Sequence, residues 1–300
     1  MKKSIALLLT LVLCIGLVAC TAPAAAPAAT EAPATATEAP AAATEAPAAT
    51  EAPAAKEPFR VGLECNYAPF NWTQEGETDM TVPIPEGGFA DGYDVQMAKI
   101  IADALGRELV IVKTEWDGLP PALISGKIDA IIAGMSPTAE RALTIDFTDP
   151  YYESDLVIVV KKDSAFAAAK SLTDFTGAKI VAQLNTFHDT VVDQIPEVQH
   201  QTPMENFPAM IVALTSGKVD GYVSERPGAV SAVAANPELA FVQFEAGQGF
   251  EASPEDVAVA VGLPKGSELA GPINEVLSGI SKEQRQQMMD DAVARQPLSE

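Results

Sequence analysis

The sequence predicts an α/β chain folded as two similar lobes with a cleft between them. Two observations carry this. Phe59 to Glu64 reads as a strand, Val95, Ala98, Ile101, Ala102 and Leu105 recur at helical spacing, and Leu109 to Val112 reads as the next strand. Strand, helix and strand at that separation form a βαβ unit, and hence a parallel sheet. In addition, the stretch ALISGKID at 122–129 returns as ALTSGKVD at 213–220. Each copy reads as a helix end, a glycine cap and an apolar strand. The first copy runs on to Gly134, Ser136 and Arg141, the second to Ser224 and Glu225. Each strand thus delivers polar residues at its C-terminal end, where open α/β sheets bind ligands. The plainer alternative is a chance match, because helix–glycine–strand units are common.

Length and charge narrow the possibilities. The 300 residues suffice for one or two domains with real cores. With 41 acidic against 19 basic residues the net charge is -22, which argues against nucleic acid and against electrostatic attachment to anionic lipid. Of the three cysteines, Cys14, Cys20 and Cys65, the first falls in an export signal, so no disulfide framework is implied. His188 and His200 are the only histidines, and no His/Cys cluster has metal-ligand spacing. No phosphate-cradling glycine loop or Ser/His/Asp constellation appears. Neither a metal nor a cofactor is expected.

The first 19 residues read as that export signal. Lys2 and Lys3 precede an apolar run, Ile5 to Val18, that is short for an ordinary spanning helix. Leu17-Val18-Ala19-Cys20 resembles the bacterial lipobox, which implies cleavage before Cys20 and lipid on its thiol and amine. A plain secretory signal cut near Ala19, or an uncleaved anchor, is the alternative. Several acyl chains would hold the protein stably on a membrane surface. Residues 20–56 are nearly all Ala, Pro, Thr and Glu, with the unit Thr-Glu-Ala-Pro starting at Thr30, Thr37, Thr44 and Thr50. Such a segment cannot bury enough apolar surface to fold, and its prolines keep it extended, so it reads as a tether.

The folded part begins near Glu57. A loop, Asn66 to Trp72, follows the first strand, and a Gly/Pro-rich insertion, about Gln74 to Gly88, reads as a surface hairpin. Asp94 is expected to cap the following helix and Gly106 to end it. The apolar run Ile128 to Ala133 reads as a buried strand that breaks at Gly134. A Ser-Pro-Thr turn then leads to a helix start, with Arg141 one turn in. Leu156 to Val160 is expected to cross between lobes, Ala178 to Gln183 to open the second, and Val257 to Val261 to bring the chain back. Helices Ser267 to Ile280 and Lys282 to Arg295 should pack on the first lobe. The expected division is 57–157 with 259–300 for lobe 1 and 161–255 for lobe 2.

Residues 133–154, AGMSPTAERALTIDFTDPYYES, resemble the amino-acid-binding proteins of ABC importers, family 3 of the bacterial extracytoplasmic solute-binding proteins. The resemblance implies the two-lobed periplasmic-binding-protein fold, type II, with each lobe a mostly parallel sheet flanked by helices and two hinge strands between them. It also implies a monomer, a free amino acid as ligand and an ABC permease as partner, in an extracytoplasmic setting. Burying an amino acid's ammonium and carboxylate requires that each be paired. Arg141 is the expected partner of the α-carboxylate, assisted by the Gly134 N–H and by Ser136. A surface arginine on an ordinary turn is the bland reading. Glu225 is the expected partner of the α-ammonium, where the family usually has Asp. A solvated carboxylate at a helix start is its alternative. Tyr67 and Trp116 match the two aromatics that sandwich the ligand, with core packing as the alternative. Phe70 and Trp72 are assigned to packing, as is Cys65. Gln183 and Thr186 lie where the family's second-lobe turn meets the ligand, and Phe187, where a small residue is common, should narrow the pocket. Glu64 aligns with a position that reads the far end of the ligand side chain. A hinge-side hydrogen bond is its alternative.

Two other function classes compete. An enzyme on the same scaffold, such as a dehydratase of cyclohexadienyl acids, would need a proton donor over the substrate ring. Pairing Arg141 with Glu225 suits a zwitterion and leaves no spare acid–base pair. An extracellular sensor would need a spanning helix and a signalling domain downstream, and neither is expected.

Overall fold

The computed structural model describes residues 56–297. The expected export signal, Cys20 and almost all of the tether lie outside the described residues. The chain opens with β1 (Phe59–Leu63), β2 (Asn66–Tyr67), β3 (Asn71–Gln74), β4 (Val82–Pro83), β5 (Phe89–Asp91), α1 (Tyr93–Leu105) and β6 (Leu109–Lys113). It continues through α2 (Leu119–Ile124), β7 (Ala130–Ile131) and β8 (Ile145–Glu153). Next come β9 (Leu156–Lys161), β10 (Lys179–Val181), α3 (Phe187–Val191), β11 (Gln199–His200), α4 (Phe207–Thr215), β12 (Gly221–Glu225), α5 (Arg226–Ala235) and β13 (Leu239–Gln243). The return is made by β14 (Ala258–Pro264), α6 (Ala270–Ser278) and α7 (Lys282–Arg295).

Two five-stranded sheets result, ordered β6-β1-β7-β14-β8 and β11-β10-β12-β9-β13. In each, the first three strands are parallel and the last two run antiparallel to their neighbours. The sheets match strand for strand, and the sequence repeat marks one equivalent helix-to-strand unit in each. Gly126 and Gly217 both turn the chain at φ near +70, 72 and 75, a left-handed conformation that glycine adopts without a Cβ clash. Behind them, Lys127 and Lys218 donate their N–H groups to Ala122 and Ala213 at 2.9 Å. The two aspartates then tie the strand to its neighbour in the same way. The Asp129 carboxylate accepts from the Arg60 N–H at 2.9 Å and the Asp220 carboxylate from the Lys179 N–H at 2.8 Å.

Several local expectations are corrected. Asp94 does not cap α1. The carbonyls of Pro69 and Phe70 accept the N–H groups of Tyr93 and Asp94 at 3.0 and 2.8 Å, so the first turn is satisfied by backbone and Asp94 turns inward. Leu156 to Val160 does not cross between lobes. It lies inside the second sheet between β12 and β13, and Ser154 and Asp155 connect β8 to it. The strand around Ile131 is only two residues long, because Gly134, at φ +65, bends the chain out of the ladder. Arg141 starts a three-residue 3-10 turn, Arg141–Leu143, and no α-helix. The insertion is a hairpin whose strands extend a small sheet, β2-β3-β5-β4, with Val82 and Ile84 buried under it. Helix α7 begins at a capping box built by Ser281 and Gln284. Beyond its last turn, Gln296 reaches Ser231 of α5, so the helix touches both halves.

Gly92 is fixed by its surroundings. Its φ is +130, and a Cβ there would stand 2.2 Å from the Phe70 carbonyl oxygen. Gly92→Ala should therefore destabilise by about 3 kcal/mol or more. Gly266→Ala, at φ +72 in open space, should cost only about 1 kcal/mol. Urea denaturation of both variants checks this, and equal midpoints would contradict it.

Candidate functional site

Eight of the nine site residues named from the sequence end a strand or follow one within a few residues, and Arg141 opens the 3-10 turn beyond β7. Glu64 follows β1, Tyr67 ends β2, Trp116 follows β6, Gly134 and Ser136 follow β7, Gln183 and Thr186 follow β10, and Glu225 ends β12. Seven of the nine, Tyr67, Trp116, Gly134, Ser136, Arg141, Gln183 and Thr186, line one narrow pocket. This common wall is what makes them one site. Phe187 lines it too, as expected. His188 and Phe207 also line it, and the sequence assigned neither. Glu64 joins through Gln183, whose amide donates to its Oε1 at 3.4 Å. Glu225 joins through His188, with Nε2 and Oε1 3.7 Å apart.

The first-lobe wall is held by a chain of hydrogen bonds. The Tyr151 hydroxyl donates to Asp94 Oδ1 at 2.6 Å and accepts from the Gly134 N–H at 3.3 Å. Asn71 donates to Asp94 Oδ2 at 2.9 Å and accepts from the Cys65 N–H at 2.7 Å. The Gly134 N–H expected to help hold an anion is thus engaged by Tyr151, a correction to its sequence-based role. Gly134 matters here for its missing side chain, since a Cβ would come within 2.9 Å of the Tyr67 ring. Arg141 projects over Trp116, its guanidinium carbon 5.0 Å from the ring centroid. It donates to the Ser136 carbonyl at 2.9 Å and to the Asn185 carbonyl at 3.1 Å. Among the described residues it forms no ion pair with a carboxylate. Burial disfavours its charge, yet a guanidinium stays protonated at neutral pH.

The second lobe meets this wall directly. Asn185, at φ +56, presents its carbonyl to Arg141 and also to the Trp116 indole N–H at 3.4 Å, and its side chain donates to Asp117 at 2.8 Å. Short polar side chains tolerate this left-handed conformation. Phe207 stacks on Tyr67 at 4.3 Å and 9°. The sequence paired Tyr67 with Trp116 alone. Phe207 escaped it because only the fold brings the start of α4 to β2. The Thr186 hydroxyl donates to the Gln183 carbonyl at 2.7 Å, which fixes the turn.

The electrostatics follow from burial. Glu64 is pushed up to about 8 by burial, against which the Gln183 hydrogen bond works, with Glu115 and Asp117 adding to the rise. Burial raises Glu225 to about 8, with Asp94 reinforcing it. Asp94 rises only to about 6, because Tyr151 and Asn71 stabilise its charge. His188 is held down to about 3 by burial and then by the charge of Arg141. The His188–Glu225 contact is therefore no ion pair: the imidazole is neutral.

Sequence comparison agrees with this geometry. The profile of the bacterial extracellular solute-binding proteins, family 3, matches residues 59–292. The chain belongs to that family. A probable histidine-binding protein of Campylobacter jejuni is 35% identical over 193 residues, covering 64% of this chain and 70% of that protein. The arginine-binding extracellular protein ArtP of Bacillus subtilis is 28% identical over 229 residues, 75% of this chain and 81% of that one. An amino-acid ABC transporter substrate-binding protein from Streptococcus pneumoniae, solved bound to L-arginine, superposes with a TM-score of 0.68 at 30% identity, over 79% of this chain and 93% of that one. The two-sheet fold of this family 3 protein is accordingly the two-lobed type II periplasmic-binding fold.

Glu225 gives a pH test. With a folded-state value of about 8 against 4.5 for an ordinary glutamate, the folded state retains a proton that the unfolded chain has released. Its contribution is fully present below pH 4.5 and is lost as pH rises through 8. Glu225→Gln cannot titrate and escapes this loss. Its melting temperature should exceed that of wild type at pH 8, and the gap should narrow towards pH 5. Parallel melting curves across that range would contradict the assignment.

Proposed function

We propose that this protein captures a free L-α-amino acid with a cationic side chain in the cleft between its lobes and delivers it to the permease of an ABC importer. The observation that carries the reading is the set of buried groups around one cavity. Arg141 offers a fixed cation from the first lobe, and Glu225 offers from the second a carboxyl group that ionises once an ammonium sits beside it. A zwitterion supplies the complement of both, and an arginine can grip a carboxylate through two parallel hydrogen bonds. Glu64, which accepts from the Gln183 amide, supplies a second carboxyl group that a cationic side chain would ionise. Tyr67 and Trp116 give flat apolar walls that also attract cations. Ser136, Gln183 and Thr186 give neutral polar contacts, and Gly134 leaves room for Tyr67. Related proteins named for arginine and histidine support a basic ligand. The lobes close on ligand by a hinge motion. The protein acts as a monomer that binds without catalysis, anchored outside the cell membrane by lipid on Cys20.

Two variants test the division of labour. Arg141→Ala removes the partner of a group that all amino acids share. It should weaken every amino-acid ligand by about 2–5 kcal/mol, roughly 30- to several-thousand-fold. Glu64→Gln should weaken arginine and histidine while sparing neutral amino acids. Isothermal titration of both variants with a basic and a neutral ligand decides. Unchanged affinity in a folded Arg141→Ala protein would overturn the site, whereas a uniform loss in Glu64→Gln would overturn only the side-chain reading.

A further inference from the structure

His188 is buried, 6% exposed, and lines the cavity, yet neither ring nitrogen has a hydrogen-bond partner. A buried polar group left unpaired costs about 1–3 kcal/mol, so such groups call for an explanation. The ring is held by packing instead. It lies 4.4 Å from the Phe187 ring and edge-on to Phe207 at 6.4 Å. These two aromatics aim Nε2 at Glu225, 3.7 Å from Oε1. That separation is too long for a hydrogen bond and short enough for one donor nitrogen to reach both atoms. Glu225 Oε2 also has no hydrogen-bond partner.

We propose that His188 is a specificity-determining contact of the ammonium subsite, accepting a hydrogen bond from the ligand's α-ammonium beside Glu225. The proposal rests on the amino-acid reading given above and adds a residue to it. The chemistry requires a neutral ring, since a neutral imidazole has one acceptor nitrogen and a protonated one has none. Burial and the positive charge of Arg141 keep it neutral, and an incoming ammonium adds to that effect. The division of work is then clear. Glu225 answers the charge of the ammonium. His188 answers an N–H that a single carboxylate oxygen leaves over. A ligand lacking the α-amino group gains nothing from His188, so the residue sharpens selection for α-amino acids over their des-amino counterparts.

The test compares two ligands on three proteins. Wild type, His188→Leu and His188→Gln are titrated with L-arginine and with 5-guanidinopentanoate, which is arginine without its α-amino group. The glutamine side chain places an acceptor oxygen near the position of Nε2, whereas leucine places none. His188→Leu should weaken L-arginine about 10- to 100-fold, the range of a hydrogen bond to a charged group. His188→Gln should stay within about 3-fold of wild type, by the same conversion. The des-amino ligand should bind all three alike. Equal losses for both ligands, no loss at all, or a folded His188→Gln as weak as His188→Leu would overturn the proposal. Should His188→Leu melt early, His188→Met takes its place. If another amino acid gives wild type its largest thermal shift, that compound and its des-amino analogue are used instead. A wild-type protein that responds to none of the twenty amino acids would instead overturn the reading of the ligand, a result visible before any variant is made.

Discussion

The carboxylate of Asp94 is the point on which the first-lobe wall depends. It is fully buried at the start of α1 and bonded to Tyr151 and Asn71. Through Tyr151 it reaches β8 and the N–H of Gly134. Through Asn71 it reaches the backbone of Cys65, between β1 and β2. One side chain thus sets the positions of the Glu64–Tyr67 segment and the Gly134–Ser136 segment relative to each other. A carboxylate suits the task because it accepts several hydrogen bonds at once, and charge-assisted bonds are the stronger kind. Its charge remains buried, which is why Asp94 still titrates above an ordinary aspartate.

The two lobes contribute different kinds of groups. The first supplies a rigid, cross-braced wall with the fixed cation, Arg141, stacked on Trp116. The second supplies Glu225, His188 and the rings of Phe187 and Phe207, oriented by packing more than by hydrogen bonds. Asn185 joins the halves by offering one carbonyl to Arg141 and Trp116 together. That contact depends on a backbone conformation that few side chains tolerate, so the turn after β10 is as much a part of the site as the charges.

The sheets and the positions of the site were readable because their signals are local and repeated. The ALISGKID and ALTSGKVD copies fold into congruent units, down to the aspartate that bonds the neighbouring strand. A glycine at the strand end and an arginine seven residues on marked the loop after β7 that lines the pocket. What escaped the sequence depended on distant contacts. Asp94 looked like a cap because a carboxylate at a helix start usually is one. Only the approach of the Pro69–Phe70 backbone frees it to turn inward. Leu156 to Val160 is as apolar as a crossover strand and equally as apolar as the inner sheet strand it becomes. His188 and Phe207 belong to the site through the packing of α3 against β12 and of α4 against β2, which no spacing in the sequence encodes.

Burial explains why such a site is costly to keep and still useful. Glu64 and Glu225 both titrate near 8 because the cleft excludes water, and each therefore weakens the fold as pH rises. A glutamine or a leucine in either place would relieve that strain. The same exclusion of water strengthens any interaction made inside the cleft, because charges act there through a lower effective dielectric. On the proposed reading, stability given up by the free protein at Glu225, and at the unpaired nitrogens of His188, would be returned by a cation with N–H groups between them. Proteins commonly break local rules at functional sites and make up the loss elsewhere. Here the compensation lies in the two regular sheets, whose inner strands β1, β7 and β9 are largely buried and apolar.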